Sequence, residues 1–355
     1  MSKIFSICQN KIIIYNGNKT KPSQNAILSL IKNQLGVKSI IEDSSTSKVY
    51  INKNGELVVN SIEYRLDTDL GIPLYTFGLL SDTHVDGDGS DKAYSISDLN
   101  RAIKFFNDEG CEFIAYCGDM TENGRDVDFT ALKSCLDTST IPNYTIRGNH
   151  DCNNTVDVYK NTTGMEQDYT ITKNNDLYVF LSLDNDDNGT NRTTTGGLTQ
   201  EKVDWLTNII NTSNHQRIFL FYHFFFRNTS GDGAGRSYPH PTIGDSTLVD
   251  YAQDFVNLVN TTPNLIFCTG HSHFKFNLQD VNINANYYHV NNNCYYIHVP
   301  SGAKPRIPVQ GGGAQNLYAE SEGYLVEVYS DKVLFKPRDF VTNKYLVEYV
   351  YIIEL

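Results

Sequence analysis

The chain is short of the residues that mark several common protein classes. Its seven cysteines are scattered through 355 residues. None forms a Cys-x-x-Cys pair, so no disulfide framework is written here, and reduced, mostly buried thiols are the reading. No apolar run reaches about 18 residues, which argues against a membrane-spanning helix. The opening Met1-Ser2-Lys3-Ile4-Phe5-Ser6-Ile7-Cys8-Gln9-Asn10-Lys11 breaks its apolar stretch too early for a secretory signal. These two features point to a cytoplasmic protein. Positive charge is also scarce: 29 Lys and Arg face 41 Asp and Glu, a net charge of −12. That balance argues against broad binding to a nucleic-acid backbone.

What is present is an ordinary globular mixture, 40% hydrophobic and 20% charged, of a length that allows one large domain or two. The charge is uneven: residues 1–70 carry nine Lys/Arg and six Asp/Glu, about +3, which leaves about −15 for the remainder. Residues 1–70 read as a small N-terminal α+β extension. Strand-like runs fall at 4–7 and 11–15, and Ala26, Ile27, Leu30, Ile31 and Leu35 recur at helical spacing within 24–35. Two further runs, at 49–51 and 57–59, flank Asn54-Gly55, a hairpin signal. No residue here has a catalytic look. A docking, oligomerisation or capping role and a plain structural extension are equally open.

Residues 71–355 follow another pattern. Apolar runs at 74–80, 113–117, 144–146, 177–183, 218–222 and 265–268 alternate with helical stretches at 95–107, 126–136 and 199–210, which predicts α/β architecture. Ser95 or Ser97 is the expected cap of the first helix and Thr199 of the last. Strands continue beyond residue 281. The glycine clusters at 231–235 and 311–313 do not open a helix after a strand, so they are not phosphate-binding loops.

Polar residues fall directly after the apolar runs: Asp82-Thr83-His84, Gly118-Asp119-Met120-Thr121-Glu122, Gly148-Asn149-His150-Asp151, His223 and Gly270-His271-Ser272-His273. In open α/β sheets, ligand sites form beyond the carboxyl ends of the strands. Carboxylate, amide and imidazole donors suit Mn, Fe, Zn or Ni, and the lack of thiolates disfavours a structural zinc site. Two such ions roughly 3.5–4 Å apart activate water and clamp a phosphoryl group. Each motif alone has a plainer reading. Asp82 caps a turn, His223 is a satisfied core imidazole, and Asp151 is a structural acceptor. Cys117 and Cys268 pack in the core, and Asp86, Asp88, Asp184, Asp186 and Asp187 sit in solvated loops.

Taken in order, the set resembles the calcineurin-like metallophosphoesterase superfamily over about residues 74–301. Gly197-Leu198, Trp205-Leu206 and Val299-Pro300-Ser301-Gly302 are similar to its flanking features. The resemblance implies a four-layer αββα sandwich of two mixed sheets (α/β, or α+β in some schemes) over residues 71–355. It implies a phosphoesterase dependent on two divalent ions of unspecified identity. Asp82, His84 and His273 would bind the first ion, Asp119 would bridge, and Asn149, His223 and His271 would bind the second, with a bridging hydroxide as nucleophile. His150 would protonate the leaving oxygen or stabilise phosphoryl charge, and Glu122 would orient His150. The family often has Asp at that place, so the longer Glu is a departure.

Asn123 stands where Ser/Thr protein phosphatases have Arg. Glu122 stands where purple acid phosphatases have their Tyr ligand, which argues against an iron–tyrosinate centre. A phosphodiester is favoured over a monoester, a nucleotide or other small diester being in range and extended nucleic acid not. Phe224-Phe225-Phe226, Arg227, Arg236, Tyr238 and His240 either line a substrate pocket or belong to core and loop. The alternative is a non-catalytic binding or structural module on the same scaffold, placed in a larger assembly through residues 1–70.

Overall fold

The computed structural model describes residues 4–8, 11–15, 49–51, 57–59, 62–67, 72–90, 94–184, 192–227, 229–231, 243, 247–276, 288–291, 294–308, 314–317, 320–346 and 349–355. The expected helix at 24–35, the Asn54-Gly55 turn, and Asp186, Asp187, Arg236, Tyr238 and His240 lie outside the described residues. Two compact units result. One is Met1–Leu74 with Glu327–Pro337 and Tyr345–Glu354; the other is Tyr75–Val326 with Arg338–Lys344 and Leu355.

The elements begin with β1 (Ile4–Cys8), β2 (Lys11–Tyr15), β3 (Val49–Ile51), β4 (Leu57–Val59) and β5 (Ile62–Asp67). Next come β6 (Tyr75–Leu80), α1 (Ser95–Asp108), β7 (Ile114–Tyr116), α2 (Asp126–Leu136), β8 (Asn143–Tyr144), α3 (Val156–Thr163), β9 (Asp168–Lys173) and β10 (Asp176–Leu181). A short helical turn at Arg192–Thr195 precedes α4 (Gln200–Thr212), β11 (Arg217–Phe221), α5 (Asp250–Thr261), β12 (Leu265–Thr269), β13 (Tyr288–Asn291) and β14 (Cys294–His298). The chain closes with β15 (Arg306–Pro308), β16 (Ala314–Asn316), β17 (Glu322–Val328), β18 (Lys332–Asp339), β19 (Lys344–Tyr345) and β20 (Tyr351–Glu354).

In the smaller unit the N-terminal strands form one sheet in the order β1-β2-β5-β4-β3. There too β18 pairs antiparallel with β20, Lys332 opposite Glu354. The larger unit is built on two mixed sheets. In one, β6, β7 and β8 are parallel neighbours, Gly78 opposite Ile114 and Ile114 opposite Asn143, and β17 lies on the other side of β6. The other has the order β13-β14-β12-β11-β10-β9. Its four inner strands are parallel, and the edge strands β9 and β13 run antiparallel. Parallel strands are stable when both faces are covered, and the continuous apolar runs of β6, β10, β11 and β12 are the sequence form of that condition.

An aromatic layer fills the space between the sheets. Phe77 of β6 stacks on Phe113 with ring centroids 4.9 Å apart and meets Tyr178 of β10 edge-on at 5.7 Å. Tyr178 in turn stacks on Phe219 of β11 at 4.6 Å. Such pairs contribute about 0.5–1.5 kcal/mol each beyond the area they bury. Helices cover the outer faces. Leu99, Ala102, Ile103 and Phe106 form the buried stripe of α1, and Phe106 lies over Gly78, where any Cβ would come within 2.7 Å of the ring. On the second sheet, Val203 and Leu206 of α4 and Phe255 and Val259 of α5 share one cluster with Val179, Leu220 and Phe267. The result is the four-layer αββα arrangement.

One local expectation fails. Helix α1 has no side-chain cap; Ser95 is its first residue, and its Oγ accepts the Asp86 N–H at 3.1 Å. The Ser97 hydroxyl donates to the Tyr94 carbonyl at 2.7 Å. Thr199 does cap α4, accepting the Lys202 N–H at 3.4 Å.

At the starting ends of β6, β10 and β11 a buried polar group spans the two sheets. Tyr75 donates to Asp176 Oδ2 at 2.5 Å and lies 2.6 Å from the Tyr178 hydroxyl, while Arg217 Nε donates to Asp176 Oδ1 at 2.6 Å. Removing one partner of a buried ion pair leaves an uncompensated charge, which costs about 3–5 kcal/mol. Arg217→Met is therefore expected to lower stability in urea unfolding by about that amount, and adding Asp176→Asn should recover more than half of it. A single variant that costs less than about 1 kcal/mol would show the pair to be energetically idle.

Candidate metal centre

The loops at the far ends of β6, β7, β11 and β12 converge. Asp82, His84, Asp119, His271 and His273 all have left-handed backbone, with φ of 50°, 45°, 50°, 72° and 60°. That conformation costs a residue with a Cβ roughly 1–2 kcal/mol. Among the described residues eight non-glycine positions adopt it, so five of the eight lie in one set of converging side chains, where strain marks function. Backbone bonds hold the turns. Asp82 N–H donates to the Gly118 carbonyl at 2.9 Å, His84 N–H to Asp119 at 3.0 Å, and Gly270 N–H to His223 at 3.1 Å. Two glycines permit the close approach. A Cβ at Gly148 would collide with the Asp119 carboxylate, and one at Gly270 with the side chains of Ser81 and Asp82.

Asp82, His84, Asp119 and His273 each present one ligand atom within 4.8 Å of the others, and Asp119, His223 and His271 do the same. Asp119 belongs to both sets. Within the first, Asp82 Oδ1 lies 3.0 Å from His273 Nε2 and 3.8 Å from His84 Nε2. The two Nε2 atoms are 3.1 Å apart, and His84 Nε2 is 3.8 Å from Asp119 Oδ2. Within the second, His223 Nε2 is 3.2 Å from Asp119 Oδ2 and 3.1 Å from Asn149 Oδ1. Asp82 Oδ2 is occupied, accepting from the His271 N–H at 2.9 Å and from Ser81 Oγ at 2.6 Å. Asp82 Oδ1, fully buried, accepts no hydrogen bond.

The electrostatics fit metal ions. Burial works to raise the Asp82 carboxyl, but the imidazoles of His273, His84 and His223 together hold it well below the carboxylate range. Asp119 is likewise held down against burial by His223, His150 and His84. Burial, with Arg306 nearby, keeps His273 well below the histidine range and so neutral, the form in which imidazole ligates. His223 Nδ1 donates to the Cys117 carbonyl at 2.8 Å, and His84 Nδ1 is 2.9 Å from Glu122 Oε2. The Cys117 carbonyl fixes a proton on His223 Nδ1, and in both rings Nε2 faces the centre. Imidazole nitrogens gathered beside buried carboxylates form a pocket that would favour a cation. The His/Asp cluster is able to bind metal ions, and an oxygen–imidazole set of this kind suits Mn, Fe, Zn or Ni.

The remaining candidates separate by contact. His150 donates its backbone N–H to Asp119 Oδ1 at 2.8 Å, and its Nε2 is 3.9 Å from Asp119 Oδ2 with the side chain 34% exposed. His150 Nδ1 donates to the backbone carbonyl of Glu122. The Glu122 carboxylate meets His84 Nδ1 and, at 3.1 Å, the Nζ of Lys304. So the carbonyl of Glu122 orients His150, while its carboxylate supports His84. Asp151 accepts from the N–H groups of Met120, Thr121 and Gly148 at 3.0, 2.9 and 2.9 Å, which ties the Asp119 and Asn149 loops together. Asp86 is not solvated: it is buried and paired with Arg125 at 2.7 Å. Phe224 and Phe225 are buried against the His271 ring, with centroids 4.6 and 6.1 Å away. Cys117 and Cys268 are buried in the core.

Sequence reading missed Lys304 and Arg147. Arg147 is fully buried and donates from Nη2 to the Asn154 carbonyl at 2.7 Å, bracing the loop after Asn149. A lone basic residue has no pattern that announces burial. For Lys304 the nearest signal was the small-residue turn at Ser301-Gly302.

His223 carries a pH consequence. Burial opposes its charge, but the carboxylates of Asp119 and Asp82 raise its pKa to about 9. Below that pH a proton occupies the nitrogen that a divalent ion held by His223 would need, so metal binding would displace it. Calorimetric titration with Mn²⁺ is expected to give affinity rising by about tenfold per pH unit between about pH 6 and about pH 8. His223→Ala should flatten that slope, and a pH-independent wild-type affinity would remove His223 from the ligand set.

Comparison with known proteins agrees with this geometry. The calcineurin-like phosphoesterase family model matches residues 75–275. A curated relative from Arcobacter nitrofigilis, named "Probable glycerophosphodiester phosphodiesterase GpdQ", is 25% identical over 162 residues, 41% of this chain and 55% of the relative. The chain thus spans about half the length of the curated relative it matches. Among solved structures, a dimetal phosphatase from Danio rerio superposes with a TM-score of 0.53 at 13% identity, covering 78% of this chain and 99% of that one. Purple acid phosphatase PPD1 from yellow lupin (Lupinus luteus) seeds gives 0.53 at 12% identity, covering 86% and 58%. At such identities these two likenesses speak for the fold. No helix among the described residues is long and apolar enough to cross a membrane. With more than half of its length matched by the family model, the chain belongs to the calcineurin-like phosphoesterase family.

Proposed function

We propose that the protein is a metal-dependent phosphoesterase that hydrolyses phosphodiesters in preference to monoesters. The observation that carries this reading is the pair of ligand sets sharing Asp119, with His150 at their edge. In this reading Asp82, His84 and His273 hold one ion, Asn149, His223 and His271 hold the other, and Asp119 bridges. When bound, two divalent ions supply Lewis acidity that makes water a competent nucleophile near neutral pH and offsets phosphate charge.

The protein's own groups do the rest. Left-handed turns at Asp82, Asp119 and His271 aim the donors inward. Burial of Phe224 and Phe225 against His271 keeps bulk water from that side. The hydrogen bond from His150 Nδ1 to the Glu122 carbonyl orients the ring so that Nε2, close to the Asp119 carboxylate, faces the reacting centre. There it passes a proton to the leaving oxygen.

Charge supports the diester preference. Lys304 is directed at Glu122, and Arg125 at Asp86, Asp88 and Asp128. These two cations are thus engaged by carboxylates, and Arg306, beside His273, donates from Nε to Asn316 Oδ1; the engaged pair suits a monoanionic diester better than a dianionic monoester. The name of the Arcobacter relative points the same way.

The test compares bis(4-nitrophenyl) phosphate with 4-nitrophenyl phosphate in the presence of Mn²⁺. Faster turnover of the diester is expected, with Asp119→Asn slower by roughly a thousandfold on both. Equal activity in Asp119→Asn would sink the assignment. His150→Ala should retain bound Mn²⁺ yet lose about 10²–10⁴-fold in kcat. Burial lowers the His150 pKa below 6.5, against the pull of Asp119. A proton donated from His150 therefore places a falling limb of the pH–rate profile below the ordinary histidine range, and that limb should vanish in His150→Ala.

A further inference from the structure

We propose that the turn Ser301-Gly302-Ala303-Lys304 is a positioning device for the half of the metal centre built on Asp82 and His84, with Lys304 acting through Glu122; the proposal rests on the two-ion reading above. The turn follows β14 and lies beyond residues 75–275, the part of the chain the family model matches. Its first residue docks on the end of β6: Ser81 and Ser301 form a parallel bridge, and Gly302 N–H donates to the Ser81 carbonyl at 2.8 Å. Ser301 Oγ donates to the carbonyl of Asp82 at 2.7 Å, bracing a residue whose backbone is in the left-handed region. The same oxygen accepts the N–H groups of Ala303 and Lys304 at 3.2 and 2.9 Å, which curls the turn and aims the lysine inward.

Lys304 Nζ then donates to both oxygens of Glu122, at 3.1 and 3.3 Å. Glu122 Oε2 is also 2.9 Å from His84 Nδ1. An ammonium, a carboxylate and an imidazole thus form one chain leading to His84 Nε2. Lys304 and Glu122 are 4% and 7% exposed and His84 is fully buried, so Lys304 is not placed to receive substrate. A lysine is buried where a partner takes its charge, and this partner is shared with a proposed metal ligand. The lysine therefore sets the rotation of the carboxylate, and the carboxylate sets the plane and tautomer of His84. The other half of the centre is built differently: His223 Nδ1 rests on the backbone carbonyl of Cys117 at 2.8 Å. Loss of Lys304 should therefore be felt by one ion and not by the other.

The test is Mn²⁺ binding to the full chain, by isothermal titration calorimetry with electron paramagnetic resonance of the bound ion. The wild type is expected to bind two ions; binding none would overturn the two-ion reading itself, separately from the role of Lys304. Lys304→Met is expected to weaken one site by about tenfold and leave the other within about twofold. Lys304→Arg, which keeps a cation for Glu122, should restore the weakened site to within about threefold. In a Glu122→Gln background, Lys304→Met should add no further loss. Ser301→Ala, a smaller change, should weaken the same site by about threefold, which decides the matter if Lys304→Met does not fold. Equal weakening of both sites, no weakening of either, or an undiminished loss in the Glu122→Gln background would overturn the proposal.

Discussion

Buried carboxylates crowded together at the ends of the sheets are the constraint on which the rest of this structure turns. Asp82 and Asp119 are essentially inaccessible to solvent and present ligand oxygens within 4.8 Å of each other and of two imidazoles. Like charges at that distance, out of water, repel strongly unless cations lie between them. Imidazoles on several sides answer part of that demand, which is why His223 holds its proton to about pH 9. The geometry of the ring nitrogens adds to this: with Nδ1 of His84 and His223 directed outward, the Nε2 atoms face inward, where a cluster of this kind is able to bind metal ions. The left-handed turns at five of these residues are a consequence. A relaxed backbone would not bring so many donors from separate strands onto one point.

Such strain persists only on a rigid base. The base is two sheets whose inner strands are buried, locked by the packed rings of Phe77, Phe113, Tyr178 and Phe219. At the opposite ends of the strands from the metal centre, Tyr75, Asp176 and Arg217 join β6 to β10 and β11. Stability is thus gathered in the middle and at the far end, while the near end carries conformations that cost free energy. Asp151 belongs to the same division, since its two oxygens serve backbone N–H groups of two different loops and hold them together.

Support of the centre is uneven. One half leans on the backbone carbonyl of Cys117 and the other on the carboxylate of Glu122, both within the matched family region, with Lys304 added from beyond it. In the proposed two-ion reading, that asymmetry would allow one ion site to be tuned by residues far along the chain while Asp119, shared by both sets, stays fixed. Lys304 and Arg125 each answer to acidic residues of their own neighbourhood.

The legible part of this protein is the part written as short-range pattern. Buried parallel strands read as unbroken apolar runs, so β6, β10, β11 and β12 were visible, and so was the placement of Asp82, Asp119, His223 and His271 just past strand ends. Helix α1 was visible from the spacing of Leu99, Ile103 and Phe106, but its start was not. Whether Ser95 caps a helix or accepts the N–H of Asp86 depends on a loop brought to it by the fold. Glu122 shows the same limit. Three residues past Asp119, it was read as the partner of His150, yet which atom serves which imidazole is set by the arrival of Lys304 from a turn 182 residues away. Sequence by itself determined the α/β class and the strand-end placement of the oxygen and imidazole groups, because periodicity is local, and the ordered motifs carried the resemblance that named the family. Only the tertiary structure decided how that set is braced, since the partners of buried polar groups come from distant segments and no local spacing records them.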